Sequence, residues 1–196
     1  YQGQGLLPHA NAVVMQQGAA IFANALQSGN GGKIILWSDS VTRAHGTFGA
    51  QGGSVSGNGG LVETSSKGVL YVDNIRVNTL AAHGETGLWL IDPTDITISN
   101  AADSNSSQTV SLFQPTDGAL ATSNINITNL VAQLDTTDVL VTTTPASGSG
   151  GAGNGDITVS DPITWSGNTT LTLDALNDII INADIMGPSF MFNIAP

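Results

Sequence analysis

Thirteen aspartates and two glutamates are the carboxylates of this sequence that could do acid–base chemistry. A glycosidase needs two carboxylates that face one glycosidic bond, about 5–9 Å apart. Asp92 and Asp95 are close in sequence, but Pro93 between them indicates that they define a turn, and no Lys or Arg accompanies them. Most aspartates adjoin predicted turns, where they would bond backbone N–H groups. We therefore predict that the chain is not an enzyme, with a polysaccharide lyase or hydrolase as the enzymatic alternative.

A metal site is suggested at one place only. Residues 150–156 read GGAGNGD and resemble the calcium-binding nonapeptide G-G-x-G-x-D-x-U-x. Asp156 falls one place late and the motif does not recur, so it is a weak metal candidate, and we expect no cofactor. His9, His45 and His83 are too dispersed for metal-ligand spacing.

The three tryptophans are the candidates for stacking on sugar rings. Trp37, Trp89 and Trp165 all lie at or near the ends of predicted strands. Side by side they would form a glycan-stacking surface. The competing interpretation is that they pack inside the fold, since buried aromatic side chains dominate core energetics.

Composition limits the partners. The net charge is −11, and four basic residues are too few to neutralise the phosphates of a nucleic acid. We therefore expect no nucleic-acid binding. The absence of cysteine excludes disulfides, cysteine-ligated zinc and thiol catalysis. No run of 18 apolar residues occurs, so we predict no membrane insertion. No signal peptide is recognisable and Tyr1 is not an initiator methionine, so we expect a processed or internal piece of a longer protein.

A repeat organises the first half of the sequence. The pentapeptide SGNGG occurs at residues 28–32 and again, 28 residues later, at residues 56–60. Each copy opens a short apolar strand, at residues 33–37 and 61–64, and a third turn is expected at residues 84–87. A turn and strand that return at a fixed period are typical of a solenoid. The positions expected to shape these turns are Gly29, Asn30, Gly31, Gly32, Gly57, Asn58, Gly59, Gly60, Gly87, Asp92 and Pro93.

Stacking the repeats in register makes specific predictions. Ile34 should lie over Val62 and point inward, whereas Ile35 and Glu63 should share the outer face. Glycines 31 and 59 are expected to hold positive φ angles, so that valine there would disrupt a turn.

The whole chain, residues 1–196, is predicted to be one all-β segment, a right-handed parallel β-helix. At roughly 22–28 residues per coil it would make about seven to nine coils, stacked about 4.8 Å apart. The expected divisions are irregular lead-in strands at 1–27, glycine-turn repeats at 28–99, and looser coils at 100–196, which contain a strand at 125–128 and loop excursions at 101–124 and 143–155.

Several motifs occur in an order that resembles a known family. They are GNGGKIILWSD at 29–39, GTFGAQGG at 46–53, GNGGLVETS at 57–65, WLIDPTDITI at 89–98 and GNGDITV at 153–159. In this order they resemble the internal repeat region of filamentous-haemagglutinin-like exoproteins, the adhesins of bacterial two-partner secretion. The resemblance covers roughly residues 20–99 and 153–185.

The resemblance implies the right-handed β-helix and a secreted, cell-surface location reached through an outer-membrane partner pore. It also implies a role in adhesion, aggregation or biofilm, with surface glycans, surface proteins or further copies of the chain as partners. Because no secretion-domain signature is recognisable, we expect a stalk or fibre segment. Two alternatives stay open: a β-helix that binds or degrades polysaccharide, and a self-assembling extracellular filament subunit.

Overall fold

The structure is a computed structural model that describes residues 8–102, 122–143 and 153–194. Within those ranges the chain forms seventeen strands and one short helix, so the all-β prediction is confirmed. Most of the two predicted loop excursions, and the first three residues of the calcium-like motif, lie outside the described residues. Among the described residues, no helix is long and apolar enough to cross a membrane.

The elements follow one another in short segments. The strands of the first half are β1 (Ala10–Met15), β2 (Ala20–Phe22), β3 (Lys33–Ala44), β4 (Gly46–Gly49), β5 (Leu61–Ser66), β6 (Val69–Tyr71), β7 (Ile75–Asn78), β8 (Leu88–Asp92) and β9 (Asp95–Ser99). The second half contains β10 (Thr122–Asn126), α1 (Ile127–Gln133), β11 (Asp138–Thr142), β12 (Ile157–Val159), β13 (Ile163–Thr164), β14 (Thr170–Ala175), β15 (Ile179–Ile181), β16 (Ile185–Met186) and β17 (Ser189–Ile194).

All strand pairs are parallel, and they form four sheets. The largest has the order β1-β3-β5-β8-β11-β14-β17, with β6 also paired to β3. The others have the orders β10-β9-β12-β15, β2-β4-β7 and β13-β16. Parallel strands need crossover connections, and here the chain passes through the other sheets before it returns to the first.

The register of the large sheet confirms the repeat. Lys33 pairs with Leu61, so the period is 28 residues between β3 and β5, and Ile34 lies directly over Val62 as predicted. Between β5 and β8 the period shortens to 27, because Leu61 pairs with Leu88. Residues that pair in register on successive strands form a row across the sheet. The row that begins at Ile34 continues through Val62, Trp89, Val139, Leu171 and Phe190.

These rows form the core. Ile34, Val62, Trp89, Val139 and Leu171 are all buried, and they belong to one continuous apolar cluster. Alternation along each strand sends one face of β3, β5, β8, β11 and β14 into this cluster. Burying such rows is the main favourable term for a chain with few charged residues.

The prediction for the outer face is half right. Ile35 is 42% exposed, but Glu63, its partner in register, is fully buried. Leu90, the next residue in that row, is fully buried as well. The strands β5 and β8 are therefore enclosed on both faces, which alternation alone could not reveal.

The order of strands in the second sheet departs from the order in the sequence. Strand β10 pairs with β9 on the side opposite β12, and the Leu70 N–H of β6 donates to Ser123 Oγ at 3.0 Å. The chain therefore places β10 between β6 and β9. The predicted loop at 101–124 is wrong over its last three residues, since β10 begins at Thr122.

The strand predicted at 125–128 is right for residues 125 and 126 but wrong for residues 127 and 128, because β10 ends at Asn126 and α1 follows at once. The Asn126 Oδ1 atom accepts the Thr128 N–H at 2.9 Å, which caps the helix. Asparagine is a favoured residue at this position, and its local bond competes with strand continuation.

Helix α1 stands beside β7, where a further strand would otherwise pair. Gln133 is 1% exposed, and its Oε1 accepts the Val77 N–H at 2.8 Å while its Nε2 donates to the Ile75 carbonyl at 3.1 Å. The Thr136 hydroxyl donates to the Val77 carbonyl at 2.7 Å. These side chains thus form hydrogen bonds with the buried N–H and carbonyl groups of β7, as a neighbouring strand would.

Candidate functional site

The SGNGG turns are held together by asparagine side chains. Asn30 Oδ1 accepts the Asn58 N–H at 2.9 Å, and Asn58 Oδ1 accepts the Glu85 N–H at 3.1 Å. The Gly31 and Gly59 N–H groups donate to the Asn58 and Glu85 carbonyls, each at 2.9 Å. Asparagines 30 and 58 therefore satisfy turn backbone one layer above them, which is a structural role.

The glycine prediction is right about the turns but wrong about which glycines have positive φ. Gly29 and Gly57 have φ of 120°, whereas Gly31 and Gly59 are not in the positive-φ region. Gly31 and Gly59 are required for space, because a Cβ would collide with the carbonyl oxygens of Ala50 and Thr79 respectively. Close approach of neighbouring layers, rather than left-handed backbone, makes glycine necessary there. A Cβ at Gly60 or Gly87 would likewise collide with the carbonyl oxygen of Gly32 or Gly60 respectively, and one at Gly32 would lie 3.0 Å from the Ala23 Cβ.

Aspartates make a second set of turn bonds. Asp95 Oδ1 accepts the N–H groups of Gly155 at 2.7 Å and Asp156 at 3.1 Å, and its Oδ2 accepts the Asn154 N–H at 3.3 Å. Asp156 Oδ1 in turn accepts the Asp178 N–H at 3.1 Å. Each carboxylate thus organises the backbone that enters the next strand.

The weak metal candidate has no partners for a metal. Asp156 is engaged by backbone, and no group of three or more His, Asp or Glu side chains that could hold a metal ion occurs within residues 8–102, 122–143 and 153–194. The three histidines do not converge: His9 contacts Asp39 at 3.1 Å, and His45 contacts the Asp73 carbonyl at 2.8 Å.

The Asp92–Pro93 step joins β8 to β9. Asp92 is the last residue of β8 and is 5% exposed, so it belongs to a strand rather than to the turn that we predicted. Pro93 follows it, and Thr94 donates to the Lys67 carbonyl at 2.6 Å. Asp95 serves the backbone of residues 154–156, so Asp92 and Asp95 have different surroundings.

The tryptophans do not form one stacking surface. Trp89 is fully buried and its Nε1 donates to Thr64 Oγ1 at 3.0 Å, while Trp165 is 5% exposed and donates to the Thr169 carbonyl at 3.2 Å. Their role as glycan-stacking residues is therefore ruled out in this fold. Trp37 is half-buried, and its ring meets the His9 ring edge-on at 5.8 Å. It lies on the opposite face of the large sheet from Trp89.

Sequence reasoning missed four buried side chains on the outer side of that sheet. Arg43 lies over the Tyr71 ring at 5.0 Å, and these two residues pair in register. Glu63 and Asp92 are on neighbouring strands, and all four are at most 7% exposed. A buried charge requires a partner, and the Tyr71 ring provides one for Arg43. The available signal was the 28-residue separation of Arg43 from Tyr71, the same period as the turns.

One carboxylate has a shifted titration. Burial raises the pKa of Asp138 above its ordinary value; the Thr170 N–H that it accepts at 2.8 Å opposes this effect, and the negative charge of Glu85 adds to it. Asp138 is the first residue of β11, so its raised pKa results from the packing of the strands.

The surface also carries an open groove of about 520 Å³. Leu26 and Leu80 supply apolar surface, at 87% and 38% exposure, and Asn24 and Gln51 supply amides. The side chains that line the groove include no titratable group.

No protein-family model and no curated protein matches this chain.

Proposed function

We propose that the chain is a right-handed parallel β-helix that serves as a stalk or fibre segment of a secreted bacterial surface adhesin. The observation that carries the proposal is the continuous stacking in register of parallel strands, with like residues above like from Ile34 to Leu171. A fold built this way extends by adding layers, and each layer contacts chiefly its neighbours. Such a molecule supplies length and lateral surface.

The polar chemistry of the surface supports a structural role. Four side chains accept hydrogen bonds from backbone N–H groups of the next layer. They are Asn30, Asn58, Asp95 and Asp156. Secretion through a partner pore and a role in adhesion, aggregation or biofilm rest on the resemblance of residues 20–99 and 153–185.

The stalk proposal is tested in the native bacterium with an antibody against this chain. We expect surface-exposed or secreted protein with a mass well above the 19.9 kDa of this chain. In-frame removal of the segment should lower adhesion or autoaggregation. An intracellular protein of 19.9 kDa would overturn the proposal.

The polysaccharide alternative has the groove beside Leu26 and Leu80 in its favour. Leu80→Asp should abolish glycan binding if the groove is a sugar site, whereas Val55→Asp, at another exposed apolar position, should not. Release of oligosaccharides from any polysaccharide would favour an enzyme over a stalk.

The filament alternative has the apolar surface of β17 in its favour. Met191 and Phe192 are 55% and 65% exposed, and Phe192 continues a row in which Leu173, its partner in β14, is fully buried. Another layer could cover them. Concentration-dependent rods in electron micrographs, lost on Phe192→Asp, would favour self-assembly.

A further inference from the structure

The chain contains three Asn-Gly steps, at residues 30–31, 58–59 and 154–155. At such a step the glycine nitrogen can attack the carboxamide carbon of the asparagine, because a residue without Cβ leaves its amide approachable. The reaction releases ammonia and forms a cyclic imide, which water opens to aspartate or isoaspartate. The local structure decides whether a given step reacts.

The first two steps are locked at both reacting groups. The carboxamide oxygens of Asn30 and Asn58 accept N–H groups from the next layer at 2.9 and 3.1 Å. The nitrogens of Gly31 and Gly59 each donate to a backbone carbonyl at 2.9 Å. A carbonyl is a poor proton acceptor, so these nitrogens are both held and not activated.

The third step is arranged differently. Asn154 is exposed, and within the described part of the chain its carboxamide makes no hydrogen bond. The Gly155 N–H donates at 2.7 Å to Asp95 Oδ1, a carboxylate oxygen. The carboxamide is therefore free to rotate toward the glycine nitrogen, and a base is already in contact with that nitrogen's proton.

We propose that Asn154 is a site of spontaneous self-modification in the folded protein, with Asp95 as the general base. The Gly155 nitrogen forms a bond to Asn154 Cγ as its proton passes to Asp95. The bond from Cγ to the amide nitrogen breaks, and that nitrogen takes up a proton and leaves as ammonia. Water then opens the imide, so asparagine and water become aspartate or isoaspartate and ammonia.

The modification changes the entry into β12. A new carboxylate would lie beside Asp95 and Asp156, and isoaspartate would lengthen the backbone before Gly155. That glycine has φ of 86°, and its carbonyl accepts the Thr143 hydroxyl at 2.8 Å. The modified turn is therefore expected to loosen the junction between β11 and β12.

The test is to age the folded protein at mildly alkaline pH and follow all three steps by peptide mapping and mass spectrometry. We expect conversion at Asn154 to exceed conversion at Asn58 by about tenfold or more, since a positioned general base contributes on the order of 10²-fold or more. In urea the three steps should react at similar rates. Folded-state conversion at Asn30 or Asn58 as fast as at Asn154 would overturn the proposal.

Asp95→Asn separates base chemistry from positioning. Asparagine retains an oxygen for the Gly155 N–H but cannot take its proton, so the ratio of the Asn154 rate to the Asn58 rate should fall about tenfold or more. If Asp95 only stabilises the turn, Asp95→Asn would loosen the fold and raise the rates at both Asn154 and Asn58. The ratio of the two rates would then stay the same or increase, and that result would refute the role of Asp95 as a base. Asp184→Asn, which removes the same charge from an exposed position, should leave the ratio unchanged.

Discussion

At the scale of single residues, polar side chains in this protein act mainly on backbone. Asn58 and Asp95 illustrate the rule: each accepts N–H groups from the layer above it. Pairing of backbone groups across turns removes the penalty of leaving them unbonded. Changing such residues should therefore alter stability before it alters any chemistry.

Asp138→Asn should make stability less dependent on pH. Burial raises the pKa of Asp138, so its contribution is fully favourable below its unfolded-state pKa and is lost as pH rises through its folded-state pKa. Asparagine is uncharged and retains an oxygen for the Thr170 N–H. The variant should gain stability relative to the wild type at pH 7, and the gain should disappear in acid.

Urea unfolding at a series of pH values measures this difference. Asp184→Asn, at an exposed position, provides the matched comparison. An Asp138→Asn advantage that grows toward acid pH would contradict the assigned sign.

At the scale of elements, the β10–α1 unit breaks the regular succession of strands. Strand β10 lies between β6 and β9, and α1 takes the position beside β7. The unit is tolerated because Gln133 and Thr136 bond the backbone of β7 as a strand would. The helix itself buries Ile127 and Leu130 in the common core.

Gln133→Leu should destabilise the protein strongly. It would leave the Val77 N–H buried without its acceptor, at a cost of about 1–3 kcal/mol, and the Ile75 carbonyl would lose the Gln133 amide while it keeps the Arg76 guanidinium. Chemical denaturation measures the loss, and hydrogen exchange at the Val77 amide should accelerate. Gln133→Glu keeps the acceptor but loses the donor.

Thr128→Ala, on the exposed side of α1, is the control and should be within about 0.5 kcal/mol of the wild type. Equal stability of Gln133→Leu and Thr128→Ala would show that the amide does not serve as the edge of β7.

At the scale of the whole molecule, parallel strands pair in register along one continuous apolar core. Contacts between consecutive layers dominate, as in the β1–β3, β3–β5 and β5–β8 pairs. Stability in such molecules is approximately a sum over layers and their interfaces. Whether a shortened chain folds should therefore depend less on how many residues are deleted than on whether the deleted segment is one whole repeat period.

Deleting residues 33–60 should leave a folded protein. The deletion removes one 28-residue period, so β5 takes the place of the first part of β3, and β6 and β7 can stack on β1 and β2. Cooperative unfolding should persist with a smaller denaturant slope, since less surface is buried. Small-angle X-ray scattering should detect a particle about 4.8 Å shorter.

The control deletion removes residues 33–46, half of that period. It should fail to fold cooperatively, since it shifts every later strand out of register. If both deletions fold equally well, the layers are not interchangeable units.

The periodic features were predictable from sequence because they depend on local chemistry repeated at fixed spacing. The SGNGG pair predicted the Ile34–Val62 register, and the recurring turn and strand predicted an all-β chain. The helix α1 was not predictable, because residues 125–128 alternate like a strand and only the bond from Asn126 to Thr128 redirects them.

Sequence alone determined the parallel strands, the period of the first layers and the turn positions, since each follows from residue type and spacing. Tertiary structure decided which outward-facing residues are covered, so that Glu63 is buried while Ile35 remains 42% exposed. It also decided the placement of β10 and the contact between Asp95 and Gly155, sixty residues apart. Such long-range contacts depend on how layers stack, and no local pattern encodes which distant segment arrives beside a given turn.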